Sequence, residues 1–482
     1  MNRKESIWTE ETFLHFRKTL PGNYKADVAV IGGGMAGILT AYLLYQRGVD
    51  VVVLEAGRIG RGQTKNTTAK ITSQHGLIYH KMVKTFGLEL TQQYANAQQQ
   101  AVEMYRQIVN KWQIDCGWQD CPSYLYSTTS PCQLERELLA VEKLWIPAKF
   151  MTTTELPFDV KGAVRFANQA QFQPLKFLQA IAKPLTIFEN TMARAIDGER
   201  IYTEDGIVEA EHIVVATHYP FLNVPGYYFL RMYQERSYVL ALEKAQKLQG
   251  MYLGIDPKSH SFRSHGDVLL FGGEKHRTGE HLPVSCYDQL RLAAKQIYPN
   301  STEKRCWSAQ DCMTLDSVPY IGPYSASSPG LYVATGFQKW GMTNSMVAAV
   351  LLSDAILGKA NDCADVFLPQ RFHFSASMKN IFRDGAHWVK GMTLGFMHIP
   401  KGKLDQLPNG QGGIVKYQGK TAGVYKNFRG ETFVVSPKCP HLGCRLEWNP
   451  DELSWDCPCH GSRFDYRGYL LDNPAMEGNG IG

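Results

Sequence analysis

Near the C-terminal end, two short runs bring together side chains well suited to hold a transition metal. Cys439-Pro440-His441 supplies C-x-H and Cys457-Pro458-Cys459-His460 supplies C-x-x-H, with fifteen residues between the runs. Two thiolates and two imidazoles can hold a [2Fe–2S] cluster asymmetrically, sulfurs on one iron and nitrogens on the other. That ligand set raises the potential above that of an all-thiolate cluster. Zinc takes the same ligand types, but its sites usually include a C-x-x-C half, which C-x-H matches poorly. Of the eleven cysteines, seven are scattered between Cys116 and Cys363, as reduced core thiols are, whereas four crowd between Cys439 and Cys459.

A second constellation lies near the other end. Gly32-Gly33-Gly34-Met35-Ala36-Gly37 is a G-x-G-x-x-G run, and Glu55 follows 23 positions after Gly32. The glycines let a pyrophosphate approach a helix N-terminus, whose N–H groups and dipole favour anions. The acid would accept bonds from ribose hydroxyls. The elements that must place these groups are legible. Asp27–Gly32 is an apolar strand, Ile38, Leu39, Tyr42 and Leu43 recur at helical spacing within Met35–Arg47, and Asp50–Ala56 is a second buried strand. Together they form a βαβ dinucleotide-binding unit.

Farther along, Leu88–Ile114 reads as a long helix, Pro174 opens another, and His212–Thr217 is a buried strand. Strands dominate from Tyr238 to Gly273, as a mixed sheet over a substrate pocket requires, and Leu331–Thr335 leads into the helix Met342–Leu357. From Gly412 onward, GIVKY, TAGVY and TFVVS alternate with Gly and Pro turns, the pattern of a small all-β domain.

Over roughly Ala26–Gly358 the chain resembles the D-amino-acid-oxidase-like family of FAD-dependent oxidoreductases. The resemblance rests on Glu55-Ala56-Gly57-Arg58-Ile59-Gly60 followed by Thr67-Thr68-Ala69-Lys70, similar to that family's loop beneath the flavin. It rests also on Asp316-Ser317-Val318-Pro319-Tyr320-Ile321-Gly322 and on Gly336-Phe337 with Gly341-Met342-Thr343 before a helix. It implies FAD as cofactor, held by Gly32, Gly34, Met35, Ala36, Gly37, Glu55, Ala56, Arg58, Thr67, Thr68, Ala69, Lys70, Asp316, Gly336, Gly341, Met342 and Thr343. A helix N-terminus at Met342 would stabilise the anionic N1–C2=O side of reduced flavin. Amino-acid-oxidising members usually place an arginine before the T-x-D segment, to hold the substrate carboxylate. This chain has Trp307-Ser308-Ala309-Gln310-Asp311, with Gln310 near that place. Arg263, on a strand expected to face the pocket, is the candidate replacement, with a surface or phosphate-pairing role as the alternative. Lys339 and Trp340 are candidates for the flavin face.

The C-terminal runs resemble Rieske domains of bc1 and b6f type. Cys444 and Cys459 match the positions that form a disulfide there, and Ser462 matches the serine that bonds a cluster sulfur. The tyrosine two residues farther on is Phe464 here, which implies a potential below the top of the Rieske range. The chain stops at Gly482, soon after Asn473-Pro474-Ala475, early for such a domain.

The expected architecture is therefore an α/β FAD-binding domain, Rossmann-like and of GR2 type, with a mixed-sheet substrate domain and a small all-β Rieske domain. The boundaries read as 26–369 for the oxidoreductase (substrate-facing part about 150–330), 370–408 for a linker with some helix, and 409–482 for the Rieske unit. Function follows as a dehydrogenase of an amine or amino-acid-like donor, a small molecule whose electrons leave through the cluster to an external protein or quinone-like acceptor. Two other classes stay open: an electron-transfer component of a multi-component oxygenase system, and a non-catalytic redox sensor. Three His pairs at i, i+5 (His75/His80, His260/His265, His276/His281) lack the carboxylate a mononuclear iron triad needs. The net charge of +6 is spread out, arguing against nucleic acid. No h-region opens the chain and no run approaches a membrane span, so a cytoplasmic protein is expected.

Overall fold

The computed structural model describes residues 4–280, 283–371 and 404–481. His281 and most of the expected linker lie outside the described residues.

The βαβ unit forms as the apolar periodicity dictates. The strands Tyr24–Ile31 and Val51–Leu54 are parallel neighbours, joined by the helix Met35–Tyr45. Nearly every residue of that helix is buried, because its sheet covers one side and the helix Gly341–Ile356 packs on another. The sheet orders its strands Tyr320–Pro323, Leu331–Thr335, Ile207–Val215, Tyr24–Ile31, Val51–Leu54 and Thr186–Phe188. All these neighbours run parallel except the first pair. Gly37 shows why the motif needs glycine: a Cβ there would stand 1.9 Å from the Gly32 carbonyl oxygen, so the helix could not lie against its strand.

A second, nine-stranded mixed sheet lies against the first domain. Its strands Met232–Glu243, Ser261–His265, Val268–Arg277 and Thr302–Thr314 are antiparallel, while Met251–Gly254 joins Gln119–Ser127 in parallel. Strand content here exceeds the expectation, since Gln119–Ser127 and Thr302–Thr314 carry polar residues that mask their alternation. The long helix is also longer than expected. It spans Tyr79–Trp112, broken at Gly87, whose φ of 82° is open to glycine. Leu88 follows that break.

The C-terminal domain is all-β. Gly412–Tyr417, Lys420–Lys426 and Thr432–Val435 form one sheet, and Glu447–Asn449, Ser454–Asp456, Arg463–Asp465 and Leu470–Asp472 form another. Trp455, Phe464 and Leu446, all fully buried, fill its core beside Cys439, Cys444, Cys457 and Cys459. No described helix is long and apolar enough to cross a membrane.

Candidate redox site

The four expected metal ligands converge. The His441 and His460 rings lie 4.9 Å apart at 89°, and the Nδ1 of each is buried without a hydrogen-bond partner. Burial pushes the two imidazoles down to about 4 and about 3, so both are neutral, the form that binds metal. The Cys439 and Cys457 thiols face one another, which holds Cys439 below its usual value and Cys457 above it. Two unpartnered Nδ1 atoms and two facing thiols fit a [2Fe–2S] cluster, in which Cys439 and Cys457 would hold one iron and His441 and His460 the other. Cys444, Cys457 and Cys459 also group within 4.8 Å. Cys444 and Cys459 are joined as a disulfide, however, leaving only Cys457 of that trio for metal. Ser462 Oγ accepts from Ala475 N and stands beside Cys439.

The cluster loop lies against the oxidoreductase domain. Phe229 meets both histidine rings edge-on, and the Nε2 of His441 is 2.9 Å from Asn223 Oδ1. Gln234 and Gln310 donate to the carbonyls of His460 and Gly461. Asn473 Nδ2 donates to the carbonyls of Thr217 and Tyr219. Deeper in the interface, Glu452 pairs with Arg236 at 2.8 Å and Arg463 at 3.3 Å, and Arg463 also holds Asp456 and Asp472.

The segments expected to hold the flavin have the following geometry. A Cβ at Gly32 would meet the Ala216 carbonyl oxygen at 2.5 Å, and one at Gly33 would meet Ile59 at 2.8 Å. Gly34 is the N-cap of the helix, and Met35 N donates to Thr64 Oγ1 at 3.0 Å. Glu55 accepts from Gly33 N and Gly57 N at 2.7 and 2.8 Å, and each oxygen retains a lone pair for a ribose hydroxyl. Arg58 donates to Leu14 O and stacks over Phe16. Ala56 lies between Glu55 and Gly57 in the same turn. The two flavin segments meet at Thr72 and Thr343. Thr72 N donates to Thr343 Oγ1, and that hydroxyl donates to Thr72 O. Trp340 stacks on His75 at 4.7 Å, and Gly341 and Met342 begin a helix with no side-chain cap. Gly336 takes φ 72° against Thr314. The glycine gaps and the uncapped N-terminus of the helix Gly341–Ile356 fit FAD.

Three of the expected site residues are held by contacts within the protein. Arg263 is buried, its guanidinium engaged with Gln171, Phe172 O, Thr68 O and Ala69 O, so it holds the flavin loop and is not open to a substrate carboxylate. Asp316 is bound by Arg371 through both oxygens and by Val318 N, an internal brace. Lys70 donates to Tyr252 O, and burial beside Arg263 pushes its ammonium down to about 7.

Lys339 does reach a polar face, 3.3 Å from Glu235 and 3.3 Å from Asp311. Burial raises the Asp311 carboxyl despite that neighbour.

The pattern of FAD dependent oxidoreductases (DAO) matches residues 27–355, and that of the Rieske [2Fe-2S] domain matches 398–479. The chain belongs to the DAO family of FAD-dependent oxidoreductases. It carries a Rieske domain at its C-terminal end. This oxidoreductase is 37% identical over 490 aligned positions to YhfW of Bacillus subtilis (strain 168), a protein named for a Rieske 2Fe-2S iron-sulfur centre, covering 98% of this chain and 96% of that one. It is 30% identical over 116 residues to gamma-glutamylputrescine oxidoreductase of Escherichia coli (strain K12), covering 24% of this chain and 27% of that one. The fold is also that of glycine oxidase from Geobacillus kaustophilus, with TM-score 0.62 at 19% identity over 72% of this chain and all of that one (100%).

Gln63, Gln234, Glu235, Arg236, Asp311 and the N-terminal Trp8 were not among the site residues expected from the sequence. Trp8 is fully buried and donates to Thr67 O, beneath the flavin loop. The glutamines had no spacing to announce them. Asp311 had one signal, its place beside Gln310 before the T-x-D segment.

Proposed function

We propose that the chain dehydrogenates a small amine or amino-acid-like donor, of the amine kind, and delivers the electrons through its Rieske domain to an external protein or quinone-like acceptor. FAD supplies two-electron oxidation of a C–H bond and the cluster supplies single-electron transfer when they are bound. One observation carries the reading. Neighbouring residues of two paired strands face opposite ways, Glu235 and Asp311 toward Lys339, Gln234 and Gln310 toward the cluster loop. A single layer of sheet thus separates the donor side from the Rieske loop.

The charges favour an amine over a carboxylate. Arg263 and Arg236 are both engaged elsewhere, leaving two carboxylates around one lysine. Asp311, pushed up by burial, suits removal of a proton from a bound ammonium. Lys339 keeps the pair oriented.

Anaerobic titration with amines, amino acids and NAD(P)H, read as flavin bleaching, tests this. Amines should bleach the flavin of wild type and of Cys457→Ser, while only wild type passes electrons to an added acceptor. Bleaching by NAD(P)H alone would point to an oxygenase component, and bleaching by no donor to a sensor.

A further inference from the structure

We infer that Gln234 and Gln310 are positioning residues for the Rieske loop, tied by Gln63 to the flavin-side turn. The inference rests on the docked arrangement used above but on different residues from the donor site. Gln234 Nε2 donates to His460 O at 2.7 Å and Asn473 O at 3.0 Å. Gln310 Nε2 donates to Gly461 O and to Gln234 Oε1, both at 2.8 Å. The Gln310 Oε1 accepts from Thr278 Oγ1 at 3.1 Å and Arg236 Nη1 at 3.3 Å.

A carboxamide has two donors and two lone pairs, and all four positions of Gln310 are filled. Gln234 and Gln310 are 1% and 0% exposed. A buried amide with every position satisfied has one low-energy setting, and so do the groups it holds. Two successive carbonyls of the ligand loop are therefore fixed from the other domain. The bonds continue to a ligand, since Gly461 N donates to Cys457 O at 2.9 Å. At the other end, Gln310 N donates to Gln63 Oε1 at 2.9 Å, and Gln63 lies in the turn that offers Thr64 Oγ1 to Met35. Gly461 is shaped for this approach. Its φ is +82°, and a Cβ there would fall 2.7 Å from Gln234 Cβ.

Gln310 holds Gln234 on His460 O, and that bond polarises the His460–Gly461 peptide, whose N–H donates to the carbonyl of the ligand Cys457. Losing it should therefore lower the midpoint potential of the cluster.

The test compares full-length wild type, Gln310→Leu and Gln310→Glu after dithionite reduction, by EPR and redox titration, with iron and FAD assayed in each. Shifted g-values and a lowered midpoint, with iron and FAD retained, are expected. Loss of iron from both variants with FAD retained also supports the role, because Gln310 lies 151 positions from Gly461 and belongs to the other domain. If the Leu variant does not accumulate, the Glu variant, which keeps Oε1 as an acceptor for Thr278 and Arg236, is read alone. Spectra and midpoints superimposing on wild type overturn the assignment, as does loss of both cofactors, which marks general packing. Dithionite replaces the donor here, so failure of this test leaves the amine reading standing, and failure of the donor panel leaves this one standing.

Discussion

His441 Nε2 donates to Asn223 Oδ1 across the domain boundary, 2.9 Å away. The ring's Nδ1 is buried without a partner and is the atom that would hold iron, so the proton sits on Nε2, and the acceptor that fixes it belongs to the oxidoreductase domain. Such a partner increases the basicity of a ligand imidazole. Asn223→Leu should therefore raise the cluster midpoint, measured by redox titration, with iron content unchanged. An unchanged or lowered midpoint would sink this account.

Glu452 gives the interface its pH dependence. Burial alone would push its carboxyl up, but Arg236 and Arg463 outweigh that and hold it down at about 2. The folded value lies below the unfolded one, so the stabilisation is complete above pH 4.5 and is lost as pH falls toward 2. Glu452→Gln should cost about 3 kcal/mol at neutral pH, because two buried guanidinium groups lose their shared carboxylate. Thermal unfolding between pH 2 and neutrality checks both statements, and the variant should lose part of the wild-type slope in the acid window.

Arg263→Lys removes the fork that holds the Thr68 and Ala69 carbonyls. The flavin loop then loosens, and the Kd for FAD, measured by reconstitution of apoprotein, should rise on the order of tenfold, as loss of about 1.4 kcal/mol implies. Substrate-driven bleaching of the fully loaded protein should be nearly unaffected. A large KM effect with unchanged FAD affinity would return Arg263 to the donor.

Asp311→Asn keeps the shape beside Lys339 but removes the carboxylate proposed as the base. The rate of amine-driven bleaching should fall on the order of 100-fold, while dithionite reduction stays as in wild type. Stopped-flow absorbance distinguishes the two.

Much of the scaffold was readable because apolar periodicity and glycine spacing are local signals. The strand–helix–strand start, the helix opening at Pro174 and the four metal ligands all rest on residues close in sequence. The long strand Thr302–Thr314 was not readable, because its outward positions include Glu303, Arg305 and Asp311, which find partners only in three dimensions. Arg263 illustrates the same limit. Its strand was expected, but whether it addresses a substrate or a loop depends on carbonyls about 195 positions away. The interface glutamines are alike in this respect, since nothing near them in sequence records the partner domain.

At one place the two domains meet without side chains between them. Gly279, with φ +78°, brings its Cα so near the cluster loop that a Cβ would lie 2.5 Å from Pro458 N and 2.8 Å from the Cys457 carbonyl carbon. Main chain rests on main chain there. A Rieske module transplanted from another protein would need to retrace that path as well as present four ligands, so the two halves of this gene are constrained to change together.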